Sequence, residues 1–153
     1  MGEPEGRYEH TFEVRMTDLD VNRHLTSSRY LEYAIHARFA SLSGLGVLRL
    51  LETLGLAPVV FRDEIEYRRE LRPLDHVSVS VELAALSDDA TRWRLRHEFV
   101  RSDGVLSARI RTDGAWLDLR TRKLTVPPPE LAEGFATLHR TEDFEVLTSP
   151  AES

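Results

Sequence analysis

The sequence contains no cysteine. A disulfide scaffold, a thiolate metal site and a cysteine nucleophile are therefore excluded. A Gly-x-Ser-x-Gly motif is also missing, which excludes the nucleophile turn of the α/β-hydrolases. The histidines lack the His-x-x-x-His spacing of a metal-binding helix, so no metal site is predicted. They stand at positions His10, His24, His36, His76, His97 and His139.

Long apolar runs are missing as well. No stretch approaches the roughly 18 apolar residues that cross a bilayer, and the segment Met1–Arg7 has no apolar core of the kind a signal peptide needs. We therefore expect a cytoplasmic protein. Positive charge is not in excess either, because 20 basic and 26 acidic residues give a formal charge of −6. This balance argues against a general affinity for nucleic acid or for an anionic membrane.

The composition is that of one ordinary globular domain. The chain has 153 residues, of which 41% are hydrophobic and 30% are charged, and this length is sufficient for one full core. We expect a single domain over residues 1–153, with its core at about residues 8–136. The tail from Asp143 to Ser153 is predicted to be loose.

A helical period begins at Ser27, where apolar residues recur at spacings of three and four. Thr26 or Ser27 is expected to cap this helix, and Gly44 and Gly46 to end it. The stripe expected to be buried consists of Leu31, Ala34, Ile35, Phe39 and Leu42, widened by Tyr30, Tyr33 and Ala37. Shorter helices are predicted over Val47–Leu54 and, after a run of prolines, over Glu130–Thr137.

Alternating patterns predict the strands. A first strand is expected over Tyr8–Met16, and four more, joined by hairpins, between Val59 and Leu124. The apolar parity of the last strand changes at Asp113–Gly114, so a β-bulge is predicted there. The order of elements favours an α+β protein in which one antiparallel sheet wraps around the long helix. A second copy of the chain is the simplest cover for the remaining sheet edge.

Three side chains of catalytic type precede the long helix. Asp20, Asn22 and His24 supply a carboxylate, an amide and an imidazole within five positions. A general base or nucleophile thus stands just before a helix N-terminus, where unpaired N–H groups suit a developing oxyanion. The alternative is that Asp20 and Asn22 are ordinary turn residues, and that His24 is structural. Asp18 is expected to stabilise the loop.

The segment from Asp18 to Tyr30 resembles that of the hotdog-fold thioesterases. The 4-hydroxybenzoyl-CoA type shares Asp-x-Asp followed ten residues later by Tyr, here Asp18, Asp20 and Tyr30. The acyl-ACP thioesterases are similar over Asp-x-Asn-x-His-Val-Asn-Asn-x-x-Tyr. Two departures stand out, since Thr26–Ser27 replaces the Asn pair and Leu25 replaces Val. The resemblance covers about residues 8–136.

This resemblance implies a hotdog fold and the hydrolysis of acyl-CoA or acyl-ACP thioesters. No cofactor is implied beyond the CoA or phosphopantetheine of the substrate. It also implies a homodimer or a dimer of dimers, with the active site where two subunits meet. The acyl tunnel would lie between the central helix and the inner face of the sheet. Its expected lining includes Val77, Val79, Phe99 and Trp93.

The resemblance also assigns roles around the thioester. Asp20 would be the nucleophile or the general base, Asn22 would hold water or substrate, and His24 would orient a partner or carry the proton to the thiolate. The backbone amides of Ser27 or Ser28 are the candidate oxyanion donors. In some family members the carboxylate lies on the strand after the helix, which makes Glu64 a reserve candidate.

Further residues are candidates for binding the substrate. Tyr30 is expected on the helix face at the subunit contact. Arg92, Arg94 and Arg96 occupy every second position of one strand. Of these, Arg92 and Arg94 are candidates for binding the CoA phosphates. The alternative is a solvated sheet face on which each Arg pairs with an acid. Arginines between positions 62 and 72 are equally open to the phosphate role.

Two other functions remain open. A hotdog hydratase or dehydratase acts on similar thioesters. Such enzymes have a different pattern, in which a His and a Glu or Asp lie around a glycine-rich helix start, and that pattern is not found here. A non-catalytic module that binds acyl thioesters stays possible because of the Thr26–Ser27 departure.

Overall fold

The computed structural model describes residues 8–148. Their helices are α1 (Ser27–Gly44), α2 (Val47–Leu54) and α3 (Pro129–Ala136), and a short 3₁₀ turn spans Met16–Asp18. The strands are β1 (Tyr8–Glu13), β2 (Leu56–Tyr67), β3 (His76–Ser87), β4 (Arg92–Arg101), β5 (Leu106–Asp118), β6 (Lys123–Leu124) and β7 (Arg140–Leu147). None of the helices in this part of the chain is both long enough and apolar enough to span a bilayer.

The sheet has the strand order β1-β3-β4-β5-β2, and neighbours along this path are antiparallel. Helix α1 packs on one face of this sheet through Tyr30, whose ring contacts that of Phe99 on β4. The predicted α+β hotdog fold, in which an antiparallel sheet curls around a long helix, is thereby confirmed. Only β3–β4 and β4–β5 are hairpins among the four predicted strands, because β2 crosses over to pair with β5.

Strand alternation positions the core as predicted. Along β4, Trp93, Leu95 and Phe99 are buried toward α1, whereas Arg92 and Arg94 lie on the opposite face. Gly46, which was expected to end the long helix, follows the end of α1, and Gly55 is the C-cap of α2. Gly46 and Gly55 adopt left-handed conformations, with φ of 76° and 70°, that glycine accommodates without strain.

The face that α1 buries differs from the prediction. Tyr33, Ala34 and Ala37 face the core, but Ile35 is 39% exposed and Phe39 is 53% exposed. The apolar surface of this helix is wider than one side of a sheet can cover, so its remaining strip stays open in the single chain. The prediction that Ile35 and Phe39 belong to the core is therefore wrong.

Both ends of the chain also differ from prediction. The first strand ends at Glu13, and Met16 lies in the 3₁₀ turn with 65% of its surface exposed. The tail was expected to be loose from Asp143, but Arg140–Leu147 forms β7, which pairs in parallel with β3. The strand signal was hidden because β7 is an edge strand whose residues are mostly polar. Residues 149–153 of the predicted tail lie outside the described residues.

The β-bulge forms on the neighbouring strand. Val60 pairs with Gly114 and Arg62 with Asp113, so the extra residue is Phe61 of β2. Strand β5 keeps one parity from Ala108 to Trp116, and the predicted parity change is wrong. A Cβ at Gly114 would overlap the Trp93 indole and the carbonyl oxygen of Val59. Position 114 is thus an inward position whose side-chain space is filled by Trp93.

We expect Gly114→Ala to lower the free energy of unfolding by about 1–3 kcal/mol, because the added methyl group overpacks the Trp93 site. Gly44→Ala is the matched control, since nothing lies within 4 Å of the point that an added Cβ would occupy, and we expect a change within about 0.5 kcal/mol. Urea denaturation of both variants measures the difference. Equal stabilities would contradict the packing of Trp93 against Gly114.

Candidate active site

The loop before α1 is closed by its own backbone. The amide of Asp20 donates to the carbonyl oxygen of His24 at 2.9 Å, and the amide of Thr26 donates to the carbonyl oxygen of Asp18 at 2.9 Å. Arg23, at the tip, has a φ of 62°, a conformation typical of a tight turn. The loop therefore presents Asp20, Asn22 and His24 from a compact, hydrogen-bonded frame.

Asp18 anchors this frame from below. It is buried, and the Tyr33 hydroxyl donates to its Oδ2 at 2.8 Å. The Nε atoms of Arg29 and Arg15 lie 3.5 and 3.6 Å from its carboxylate oxygens. Burial raises the pKa of Tyr33, and the hydrogen bond to Asp18 acts in the same direction. The expected role of Asp18 as a loop-stabilising residue is confirmed.

Asp20 is exposed, and only one of its carboxylate oxygens is engaged. Its Oδ1 accepts the amide N–H of Asn22 at 2.8 Å and that of His24 at 3.2 Å. These are the local bonds of a turn-forming aspartate. No described residue donates to Oδ2. The arrangement fixes the orientation of the carboxylate while leaving one oxygen free toward solvent.

The start of α1 offers two free amides. Thr26 is the N-cap, with φ −61° and ψ 137°, and its side chain makes no capping bond. The Arg29 amide bonds to the Thr26 carbonyl oxygen, whereas the amides of Ser27 and Ser28 have no acceptor within the described residues. Both serines are exposed. Unpaired N–H groups at a helix start are suited to hold a carbonyl oxygen that gains negative charge.

Tyr30 and Tyr67 connect this helix start to the end of β2. Their rings meet edge-on at 5.2 Å, and the Tyr67 hydroxyl donates to the Ser27 carbonyl oxygen at 3.3 Å. Burial raises the pKa of Tyr30 to about 12, and the charges of Glu70 and Asp20 act in the same direction. Tyr30 is thus a buried contact beneath the loop in this chain, whereas its predicted contact with a second subunit stays a prediction.

The segment after β2 lies beside the loop, which the sequence reasoning did not foresee. The Leu25 amide donates to the Leu71 carbonyl oxygen at 2.8 Å. The pKa of Glu70 is lowered, first by its own backbone amide and also by the charges of His24 and Arg72. Glu70 is therefore a second carboxylate close to His24. The sequence carries no signal for it, since the backbone bond between Leu25 and Leu71 that brings position 70 to the loop joins segments far apart in the chain.

The remaining candidates of the sequence lie elsewhere or stay free. The side chain of Asn22 is exposed at the loop tip. Glu64 forms an ion pair with Arg62 at 3.4 Å, and no described contact joins it to the loop. Among the residues that the structure describes, no group of three or more histidines and acids is placed to hold a metal ion.

The structure does not bring Arg92 and Arg94 to the loop. Both lie on the sheet face opposite to α1. Arg94 contacts Asp113 at 2.6 Å and Glu145 at 2.9 Å, and the Arg92 guanidinium lies 5.3 Å from the centre of the Phe61 ring. This is the alternative arrangement of a paired outer face. Other arginines, at positions 68, 69 and 72, belong to the segment beside the loop. They are nearer to the helix start because they follow Tyr67, whose hydroxyl bonds to Ser27.

An apolar cavity of about 230 Å³ opens beside the exposed strip of α1. Its walls come from α1, β2, β4, β5 and α3. Of the four predicted tunnel residues, only Trp93 lines it, while Val77, Val79 and Phe99 are fully buried in the core. The lining residues are Ile35, Arg38, Phe39, Leu42, Pro58, Val60, Trp93, Leu95, Trp116 and Phe135.

A polar cluster lies beneath this cavity. The Nε of Arg38 donates to Nε2 of His97 at 3.0 Å, and its Nη2 donates to the Thr112 hydroxyl at 3.0 Å. Thr112 in turn donates to Asp63 at 2.5 Å, and Nδ1 of His97 lies 3.0 Å from the Ser80 carbonyl oxygen. Burial lowers the pKa of His97 to about 3, and the charge of Arg38 adds to the effect. His97 is therefore neutral, with its proton on Nδ1.

The sequence matches a known family over most of its length. Residues 14–135 match the model of the thioesterase-like superfamily. The Protein THEM6 of Xenopus laevis is 33% identical over 88 residues, which cover 58% of this chain and 42% of that protein. This chain therefore spans less than half of the length of that relative.

Solved structures share the fold. YbaW, a probable thioesterase from Escherichia coli, is 25% identical with a TM-score of 0.78, over 86% of this chain and 98% of its own. The protein SAV2348 from Staphylococcus aureus, solved in complex with CoA, is 18% identical with a TM-score of 0.81, over 99% of this chain and 94% of its own. The second likeness is one of fold alone.

We expect His97 to make the protein less stable as the pH falls below 6.5. Below this pH the unfolded chain binds a proton at His97, whereas the native protein does not bind it until about pH 3. The free energy of unfolding therefore falls by up to about 1.4 kcal/mol per pH unit. Urea denaturation between pH 6.5 and 5 should show a smaller pH slope for His97→Gln than for the parent. His76→Gln, at an exposed histidine, is the control. A parental slope in His97→Gln would contradict a neutral, buried His97.

Proposed function

The chain belongs to the thioesterase-like superfamily, and from this we propose that it hydrolyses acyl thioesters with Asp20 as the essential carboxylate. One arrangement supports the proposal above all others. Asp20 has one oxygen held by two loop amides and the other free, in a loop that the Thr26–Asp18 backbone bond ties to the start of a helix whose first two amides are unpaired. A nucleophile or base and an oxyanion site thus stand at the same helix end.

The chemistry follows from these groups. The thioester carbonyl oxygen accepts hydrogen bonds from the amides of Ser27 and Ser28, which stabilise the negative charge of the tetrahedral intermediate. Asp20 either removes a proton from water as that water attacks the carbonyl carbon, or attacks the carbonyl carbon itself to form an anhydride, which water hydrolyses after the thiolate has left. In both routes the carbon–sulfur bond breaks as the tetrahedral intermediate collapses, and we propose His24 as the donor of the proton that the thiolate takes up.

CoA is the proposed carrier of the acyl group. A structural neighbour of this chain binds CoA, and arginine recognises phosphate through paired donors. Arg68 and Arg72 each form one exposed ion pair at 3.6 Å, with Glu66 and Glu70, and Arg69 bonds to a backbone carbonyl oxygen. These three exposed guanidinium groups replace Arg92 and Arg94 as our candidates for the CoA phosphates. An acyl carrier protein is the alternative carrier.

We propose further that two copies pair through β2. Its outer edge has no partner within the described sheet, and a long free edge is a template for another strand. Exposed apolar side chains continue from this strand to α1. They are Ile35, Phe39, Val60, Phe61 and Tyr67.

We expect Asp20→Asn to lower kcat for acyl-CoA hydrolysis by about 10²–10⁴-fold, the usual contribution of a catalytic base, while the fold stays intact. The Asn side chain keeps an oxygen for the amides of Asn22 and His24. A thiol-release assay with short, long, branched and aromatic acyl-CoAs measures the effect. Asp88→Asn, at an exposed turn, is the matched control and should keep parental activity.

The outcomes separate the candidate functions. Full activity of Asp20→Asn would refute Asp20 as the essential carboxylate. Tight binding of acyl-CoA to the parent without thiol release, repeated with acyl-ACP, would instead favour the non-catalytic binding module. That function would fit the turn-forming bonds of Asp20 equally well.

We expect Phe61→Asp to convert a dimer into a monomer, because the variant places a charge on the proposed β2 contact. Sedimentation velocity at micromolar concentrations measures the change. Leu74→Asp replaces an exposed apolar residue in the turn before β3, where its amide bonds to the Val14 carbonyl oxygen after β1, and should leave the dimer intact. A monomeric parent, or dissociation in both variants, would contradict pairing through β2.

A further inference from the structure

The cavity beside α1 contains one charged side chain. Of its ten lining residues, nine are apolar and the tenth is Arg38. The side chain of Arg38 is only 12% exposed. Burying a cation in an apolar wall costs free energy unless its N–H donors are hydrogen-bonded. The partners of the guanidinium therefore indicate which of its donors remain for a ligand in the cavity.

The guanidinium of Arg38 has unused donors. Its Nε–H bonds to His97, and its Nη2 bonds to Thr112 and lies 3.6 Å from Asp63. Its Nη1 has no acceptor within the described residues. An arginine carries five N–H donors in a fixed plane, so the two on Nη1 are available to an oxygen inside the cavity.

The charge of the cluster decides which oxygen fits. Asp63 balances the charge of Arg38, and His97 is neutral. A carboxylate in the cavity would add a second anion to one guanidinium in apolar surroundings, at a large desolvation cost. A hydroxyl or keto oxygen accepts the same hydrogen bonds without that cost.

The exposed strip of α1 connects this cavity to the helix start. Ser28, Leu31, Ile35 and Phe39 follow one another at spacings of three and four, so they share one face of the helix, and Leu42 continues this face into the buried wall of the cavity. Ten residues separate Ser28 from Arg38, a distance of about 15 Å along the axis. An acyl chain on the order of ten carbons spans that distance, with carbon–carbon bonds of about 1.5 Å in a zigzag.

We propose that Arg38 is a specificity-determining residue, and that this cavity selects medium-length acyl groups that are apolar along the chain and carry an uncharged oxygen near the far end. The inference rests on the proposed thioesterase function. The volume is adequate, because an apolar cavity of about 150 Å³ already holds a benzene ring. The largely apolar walls and the charge-balanced donors on Nη1 of Arg38 define this class of acyl group.

The test compares decanoyl-CoA with 10-hydroxydecanoyl-CoA. We expect kcat/KM to favour the hydroxylated substrate at least about tenfold, as for a hydrogen bond to a charged group. Arg38→Met should reduce the preference to less than about twofold, a loss of the same hydrogen bond. Arg49→Met, the same substitution at an exposed position of α2, should keep it.

Binding is measured separately from hydrolysis. Both tryptophans of the chain, Trp93 and Trp116, line the cavity, so intrinsic fluorescence reports its occupancy. Titration of Asp20→Asn with each acyl-CoA gives the binding preference even if the parent hydrolyses neither. Failure of the proposed function would remove turnover, whereas failure of this inference would remove the preference for the hydroxyl group.

Several outcomes overturn the inference. They are equal use of both substrates by the parent, a preference for the CoA monothioester of decanedioic acid, and substrate binding without a fluorescence change. If Arg38→Met does not fold, because Asp63 loses its partner, Arg38→Met combined with Asp63→Asn removes both charges. A hydroxyl preference of about tenfold that persists in this double variant would equally refute the role of Arg38.

Discussion

The packing of α1 against one face of a curled sheet is the constraint on which the rest of the structure depends. The helix is apolar around most of its circumference, but the sheet covers only the face of Tyr33, Ala34 and Ala37. This contact fixes the helix start beside the loop. It also leaves the opposite strip, with Ile35 and Phe39, open along the cavity. One asymmetry in packing therefore both places the helix start beside the loop and leaves an apolar path along the helix.

The loop is tied to that helix by a buried acid. Asp18 accepts the Tyr33 hydroxyl from the second turn of α1, so the loop and the helix keep one relative position. Asp20, two residues later, can then stay exposed and still be oriented, because amides of its own loop hold one of its oxygens. The two acids of the Asp-x-Asp motif thus divide the work. The buried acid supports the frame, and the exposed acid keeps one oxygen free toward solvent.

Arginines fulfil three different roles in this protein, and their surroundings decide which. On the outer face of the sheet, Arg94 and Arg96 pair with acids of β5, β3 and β7, and these pairs hold β7 over the sheet. Arg38 lies on the inner face, with a balancing acid and a neutral histidine. Arg69 stands exposed without an acidic partner among the described residues. Residue type alone does not distinguish an arginine in a structural ion pair, a buried donor and an exposed guanidinium without an acidic partner.

The sequence by itself determined what depends on neighbours along the chain. The bounds of α2, the ends of helices at Gly46 and Gly55, the alternation of β4 and the compact loop around Asp20 were all predictable, because propensity, turn chemistry and periodicity act over a few residues. Only the tertiary structure decided between features that look alike locally. It selected which apolar face of α1 is covered, moved the bulge to Phe61, and paired a polar tail with β3. It also joined Arg38 to Thr112 across 74 positions. These features depend on which residue, distant in the sequence, packs into a given space, and a local sequence pattern does not identify that residue.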